Sequence, residues 1–260
     1  MSKGFRAPST KARDRERILL MGGPGSGKTR AMASVAKLSQ QTRSSAHFYV
    51  IDTDFAWDRM LTGNEFGNLT NITVTPVFGY DEHMAAMTKF RKLIKPDDWL
   101  VCDMIGPFWD LVQTHYVEQA YGISKTDFYL QKKKAEKEGN PFDSMDWQIT
   151  KSYYQDFLMP LLFRHQGHVM LMAGVKPVRT TGKWHDDADV IDTYGRVGVR
   201  PEGDKRIGHP VHTVLLMRDK GRDRWTMTTV TDREREKHAD EPVKGFALNY
   251  LRKTAGWVMR

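Results

Sequence analysis

The residues with the most chemistry in their spacing are Gly22, Gly23, Pro24, Gly25, Ser26, Gly27, Lys28 and Thr29, which spell G-x-x-x-x-G-K-[ST]. Glycines let a backbone curl until several N–H groups converge on one point, and such a concavity attracts an anion. A helix that opens near Lys28 adds roughly half a positive charge at its N-terminus. Lys28 is then placed to reach the β- and γ-phosphates, and the Thr29 hydroxyl to ligate Mg²⁺. Arg30 directly follows and counts with the loop. The plain alternative is a Gly-rich turn between a strand and a helix. Every fixed position matches and both flanks fit, with Ile18-Leu19-Leu20-Met21 before and a helix-forming run from Arg30 to Gln40 after. The expected ligand is a nucleoside triphosphate.

Carboxylates supply the other half of such a site. His47 to Ile51 reads as a buried strand ending in Asp52-Thr53-Asp54, and ligands of open α/β sheets sit at strand C-terminal ends. Asp also caps helices and turns, so composition leaves both roles open for Asp52. The run Trp99-Leu100-Val101-Cys102-Asp103 puts an acid after four apolar residues. That pattern, downstream of a phosphate loop, makes Asp103 the expected magnesium-side acid.

The elements that must carry these groups follow from periodicity. Further strands are expected at 71–77, 168–173, 211–217 and 224–231, the last two joined by a turn at Asp219-Lys220-Gly221-Arg222. Helices are expected over 81–94, 105–120 and from Asp143 or Ser144 to about Arg164, with Pro160 kinking or ending the last. In that helix Trp147, Thr150, Tyr154, Phe157 and Leu161 form a stripe that reads as core. The fold expected is α/β: a mostly parallel sheet with flanking helices, closed by an antiparallel C-terminal hairpin.

A chain of 260 residues can bury one sizeable core. Its single cysteine, Cys102, excludes an internal disulfide and reads as a buried small hydrophobe. No apolar stretch is long enough for a membrane span, and a cytoplasmic setting is expected. The formal charge of +8 favours a polyanionic partner. The division expected is a basic flexible tail at 1–16, an ATPase domain at 17–236 and an extension at 237–260.

One stretch, Val178 to His209, is long, polar and weakly patterned. It carries Arg179, Lys183, Trp184, Arg196, Arg200, Lys205 and Arg206 among several acids. Cations with an aromatic suit single-stranded nucleic acid, where bases stack and phosphates pair with Lys or Arg. An ordinary surface loop is the alternative.

In the order of these parts, residues 17–236 resemble the RecA-like ATPase core, in particular the small recombination and single-strand annealing ATPases encoded by bacteriophages. The resemblance implies Mg²⁺-dependent ATP hydrolysis, with Asp54 as the carboxylate that orients the attacking water where most members have Glu. It places a mobile DNA-binding loop on Val178–His209, and a polar sensor at the end of the preceding strand, where this chain has Ala173-Gly174 with Lys176 nearby. It also implies an arginine acting on a neighbouring subunit's γ-phosphate, with Arg233 in the matching neighbourhood and Arg235 as the fallback. The partners expected are single-stranded DNA, further copies of the chain in a ring or filament, and a single-strand-binding protein. Two other readings stay open: a P-loop kinase with an Arg-rich lid, and a nucleotide-gated binding module with little turnover.

Overall fold

A computed structural model describes residues 15–42, 46–134, 142–182, 185–221, 224–233, 241–242 and 246. Lys183, Trp184, Arg235, nearly all of the 1–16 tail and most of the 237–260 extension lie outside the described residues.

Among the described residues, ten strands and seven helices follow in the order β1 (Arg17–Met21), α1 (Lys28–Gln41), β2 (Phe48–Asp52), α2 (Ala56–Thr62), β3 (Ile72–Pro76), α3 (Tyr80–Leu93), β4 (Trp99–Asp103), α4 (Ile105–Tyr121), α5 (Lys125–Lys134), α6 (Ser144–Phe163), β5 (His168–Ala173), β6 (Val175–Pro177), α7 (Ala188–Tyr194), β7 (Val199–Pro201), β8 (Thr213–Asp219), β9 (Trp225–Asp232) and β10 (Glu241–Pro242). Eight of the strands form one sheet in the order β10-β9-β8-β1-β5-β4-β2-β3. From β8 to β3 every pairing is parallel, whereas β9 and β10 run antiparallel at one edge. This is the α/β architecture expected: a mostly parallel sheet with flanking helices and an antiparallel hairpin at one edge.

Why the sheet is sandwiched follows from β1. Successive side chains of a strand point to opposite faces. Leu19 and Met21 join one core with Phe90 of α3, Phe108 of α4 and Phe157 of α6. Ile18 and Leu20 join the other with Ala31, Met32 and Val35 of α1 and Trp57 of α2. A strand buried on both faces has to be apolar nearly throughout, which is why the central strands β1, β4 and β5 read as apolar runs, whereas the edge strand β3 is half-buried and carries threonines.

Helix α6 starts as foreseen, with Asp143 accepting from the Asp146 N–H at 2.9 Å and the Asp146 side chain accepting from the Asp143 N–H at 2.9 Å. It runs on to Phe163 with Arg164 as its C-cap, the end expected, so Pro160 does not terminate it. Less than one turn follows the proline, so little helix remains to be lost, and Leu158, Leu161 and Leu162 are buried around it. The stretch 178–209 is not a patternless loop either. It leaves through β6 and returns through β7, which pair antiparallel, and it contains α7, whose Val190 and Tyr194 are buried. The sheet also extends past residue 236, since Glu241–Pro242 pairs with β9 and Phe246 is buried in the second core.

Candidate nucleotide-binding site

The loop sits at the C-terminal end of β1, between β5 and β8. Its first glycine is fixed by the sheet: the Gly22 N–H donates to Ala173 O of β5 at 3.1 Å. A Cβ at Gly22 would lie 2.5 Å from Met217 O of β8, which leaves room for no side chain. Gly25 and Gly27 hold φ of 71° and 88°, the left-handed region that glycine adopts without strain. Gly27 is the N-cap of α1, so the helix axis starts under the loop.

Lys28 is buried, and its ammonium turns back into the curl. Nζ donates to Gly22 O at 2.9 Å, to Gly23 O at 3.1 Å and to Ser26 Oγ at 3.4 Å. Burial lowers its pKa, while Asp103 and Asp54 act the other way. The ammonium therefore has more to gain from an arriving anion than an exposed lysine has.

On the neighbouring side, Thr29 Oγ1 donates to Asp103 Oδ2 at 2.9 Å. The indole N–H of Trp57 donates to the same oxygen at 3.0 Å. Among the described residues, Asp103 Oδ1 is buried without a hydrogen-bond partner, as is Asp52 Oδ1. Burial foremost, then the charge of Asp54, pushes the Asp103 carboxyl up to about 7, against the opposing effects of Thr29 and Lys28. Asp52 is raised too, chiefly by burial. A pair of orphaned carboxylate oxygens beside a threonine hydroxyl fits a hard cation that takes oxygen ligands. Among the described residues no three His, Cys, Asp or Glu side chains close round a point as a full metal cage would. Mg²⁺ needs few protein ligands, since it keeps waters and binds phosphate oxygens. Thr29 and Asp103 are the residues that could hold it.

Asp52 is the more buried of its pair, with Oδ2 accepting from the Trp57 N–H at 3.3 Å. Asp54 is exposed, and its Oδ1 faces the Ala56 N–H at 3.3 Å, a turn-capping geometry. Arg30 pairs with Glu65 and lies over the rings of Trp225 and Phe66. Cys102 is fully buried in β4, which pushes its thiol pKa up and leaves it inert.

Two tryptophans complete the site without having been legible in the sequence. Trp57 links Asp52 to Asp103, as described. Trp225, from β9, donates its indole N–H to Gly25 O at 2.8 Å, and its ring lies 3.3 Å from where a Gly27 Cβ would be. A Trp just after the hairpin turn was the available signal, but its partner lies 200 residues away.

Arg233 lies elsewhere. Strand β8 runs parallel to β1, so β9 begins at the loop end and finishes at the far end, where Asp232 pairs with Thr213. Its eight residues separate Trp225 from Arg233 by roughly 25 Å. Arg233 donates to His209 O at 2.8 Å and does not meet the loop of its own chain.

The described cations of the 178–209 stretch are largely engaged with its own acids. Arg200 Nε and Asp186 Oδ2 are 3.0 Å apart, Lys205 and Asp187 3.0 Å, and Arg206 lies 3.2 Å from both Asp187 and Asp189. Arg196 donates to Thr229 O at 3.1 Å. Arg179 is exposed, its side chain without a partner among the described residues. Burial alone would raise the Asp186 carboxyl, but the Arg179 N–H and the Arg200 guanidinium outweigh it and hold the pKa below the usual range. A depressed carboxyl contributes stability above its unfolded value, roughly pH 4, and loses it as pH falls through the folded value. Asp186→Asn is expected to cost about 2 kcal/mol at pH 7. In urea titrations the gap to wild type should narrow as pH drops below roughly 4.

A cleft of about 950 Å³ opens between this stretch, α4 and α6. Trp109 and Trp147 line it, their rings 6.1 Å apart and 6° from parallel, with Lys151, Arg200, Lys205 and His209. Trp147, expected in the core, is half-buried: it packs against the apolar cluster of Tyr116, Val117, Phe128 and Phe142 and also lines this cleft, while Thr150, Tyr154, Phe157 and Leu161 of the same stripe are buried.

No protein-family model and no curated protein matches the sequence. Among solved structures, a KaiC-like protein from the hyperthermophilic archaeon Pyrococcus horikoshii OT3 aligns over 86% of this chain and 82% of its own, at 13% identity and a TM-score of 0.44. Likeness at that level says nothing of activity. The fold class rests on the strand order given above, and no described helix is long and apolar enough to cross a membrane.

Proposed function

We propose that this chain binds ATP with Mg²⁺ in the loop Gly22–Arg30 and hydrolyses it, in service of single-stranded DNA recombination, annealing or replication. The observation that carries this reading is the convergence of Lys28 on the loop carbonyls, beside the bond between Thr29 and Asp103. The amides of the curl and Lys28 neutralise phosphate charge, and α1 points its positive end at the same place. Thr29 and Asp103 would hold Mg²⁺, which when bound would screen the phosphates and polarise the γ-phosphoryl group. Asp54 is the carboxylate that the resemblance offers for orienting water, and Arg233 serves a neighbouring copy in a ring or filament.

What supports single-stranded DNA as partner is the net charge and the cleft in which two stacked indoles lie among cations. Base–aromatic stacking contributes about 1–3 kcal/mol per base, and it is tolerant of sequence. The ion pairs within 178–209 mean that DNA phosphates must compete with Asp186, Asp187 and Asp189 for these cations.

The test is phosphate release from MgATP with and without a single-stranded oligonucleotide at low salt. Hydrolysis that rises with DNA, and DNA binding that weakens steeply with salt, are the results expected. No heat on mixing with MgATP and no phosphate release would overturn the reading. Hydrolysis that ignores DNA, together with no DNA binding at low salt, removes the DNA half only.

A further inference from the structure

Strand β5 ends beside the phosphate loop, since Ala173 O takes the Gly22 N–H. The residue that follows, Gly174, has no side chain to offer. The space where its Cβ would stand is filled from elsewhere: Glu202 Oε2 lies 2.4 Å from that point. Glu202 immediately follows β7, and its own N–H donates to Gly174 O at 2.9 Å, which locks the residue to the strand end. Its stem packs against Gly106 in the first turn of α4, just beyond Asp103, where a Cβ would meet Glu202 Cγ at 3.2 Å. The carboxylate thus lies over the gap between the residues that follow β4 and β5, and β5 is the strand whose Ala173 O takes the Gly22 N–H. Lys176 holds Oε1 at 3.2 Å. Oε2 has no protein donor among the described residues, and the side chain is 40% exposed, so water reaches it.

We propose that Glu202 is a water-positioning carboxylate of the hydrolytic site, brought in by the β6–β7 hairpin rather than by a strand end. This rests on the reading of the chain as an ATPase. In the step, the water oxygen forms the bond to the γ-phosphorus while the bond from that phosphorus to the β,γ-bridging oxygen breaks. The bridging electron pair leaves on ADP, and Glu202 Oε2 accepts the hydrogen bond, and in turn the proton, of the attacking water. Glutamate suits the task because it reaches across Gly174 from a neighbouring segment. Asp54, with its shorter side chain, is exposed and engaged at the Ala56 N–H.

Glu202→Gln keeps the size and can keep the contact with Lys176 while losing the base. It is expected to lower the single-turnover hydrolysis rate about 10²-fold. Affinity for ADP, read by a fluorescent analogue, should stay within about threefold, and affinity for ADP with fluoroaluminate, which mimics the transferring phosphoryl group, should fall by a comparable 10². A merely structural residue would shift ADP affinity and melting temperature as well. If the Gln variant does not fold, Glu202→Asp, which withdraws the charge by one methylene, is read in the same way. Hydrolysis at the wild-type rate, or ADP affinity lost in step with the rate, overturns the inference. So does a wild-type protein that binds MgATP without turnover. A wild-type protein that fails to bind MgATP sinks the parent reading instead, so the two failures are told apart.

Discussion

Lys28→Met protein is expected to lose the thermal stabilisation that MgATP gives the wild type, while its ligand-free melting temperature holds or rises. The two halves have one cause. In the free protein the ammonium is buried against the carbonyls of Gly22 and Gly23, and burial lowers its pKa, so folding carries the cost of a desolvated cation. Methionine keeps the length of the stem without that charge. With nucleotide present, the same ammonium would supply charge-assisted bonds of about 1.5–3 kcal/mol each. Losing two of them weakens binding roughly 10²–10⁴-fold. At a concentration 100 times the wild-type Kd, the wild type gains about 2.7 kcal/mol of stability and the variant almost none. Differential scanning fluorimetry with and without MgATP reads both outcomes. An equal ligand-induced shift in the variant would place the nucleotide somewhere other than this loop.

Gly22→Ala is expected to lower the melting temperature by about 5–10 °C, and Gly23→Ala to leave it where it is. At position 22 an added methyl would stand 2.5 Å from Met217 O and 2.4 Å from Ser26 Oγ. A hydroxyl can turn aside, but the carbonyl belongs to β8, whose register against β1 is set by its pairing from Ile18 to Met21. Relief therefore requires the loop or the strand to shift, at a cost of about 2–3 kcal/mol, and for a chain this long each kcal/mol is worth about 2–4 °C. At position 23 nothing lies within 4 Å of the added carbon. Equal melting temperatures for the two variants would refute this account of the loop's seating.

The contrast between those two glycines also shows what a sequence discloses. The loop, β1 and α1 were legible because their chemistry is local: spacing sets the curl, and an apolar run beside it sets the strand. Asp103 was legible for the same reason, as an acid ending an apolar run. Trp57 and Trp225 were not, because their partners are 46 and 200 residues away and only the folded sheet brings them together. Glu202 escaped notice in a stretch read as a loop, whose order comes from the β6–β7 pairing and from ion pairs centred on Asp186 and Asp187 rather than from any periodic pattern. Arg233, expected to serve a neighbouring copy rather than its own loop, lies at the opposite end of the sheet from that loop because β9 runs antiparallel to β8.

The loop near the start of the chain takes its walls from strands near the end. Met217 O closes over Gly22, and the Trp225 indole holds Gly25. A ribosome-bound chain displays the whole glycine-lysine signature long before these walls exist. Competence to retain nucleotide should therefore switch on late, when the final hairpin has cleared the exit tunnel, and a fragment stopping short of residue 217 would bear the motif without the pocket.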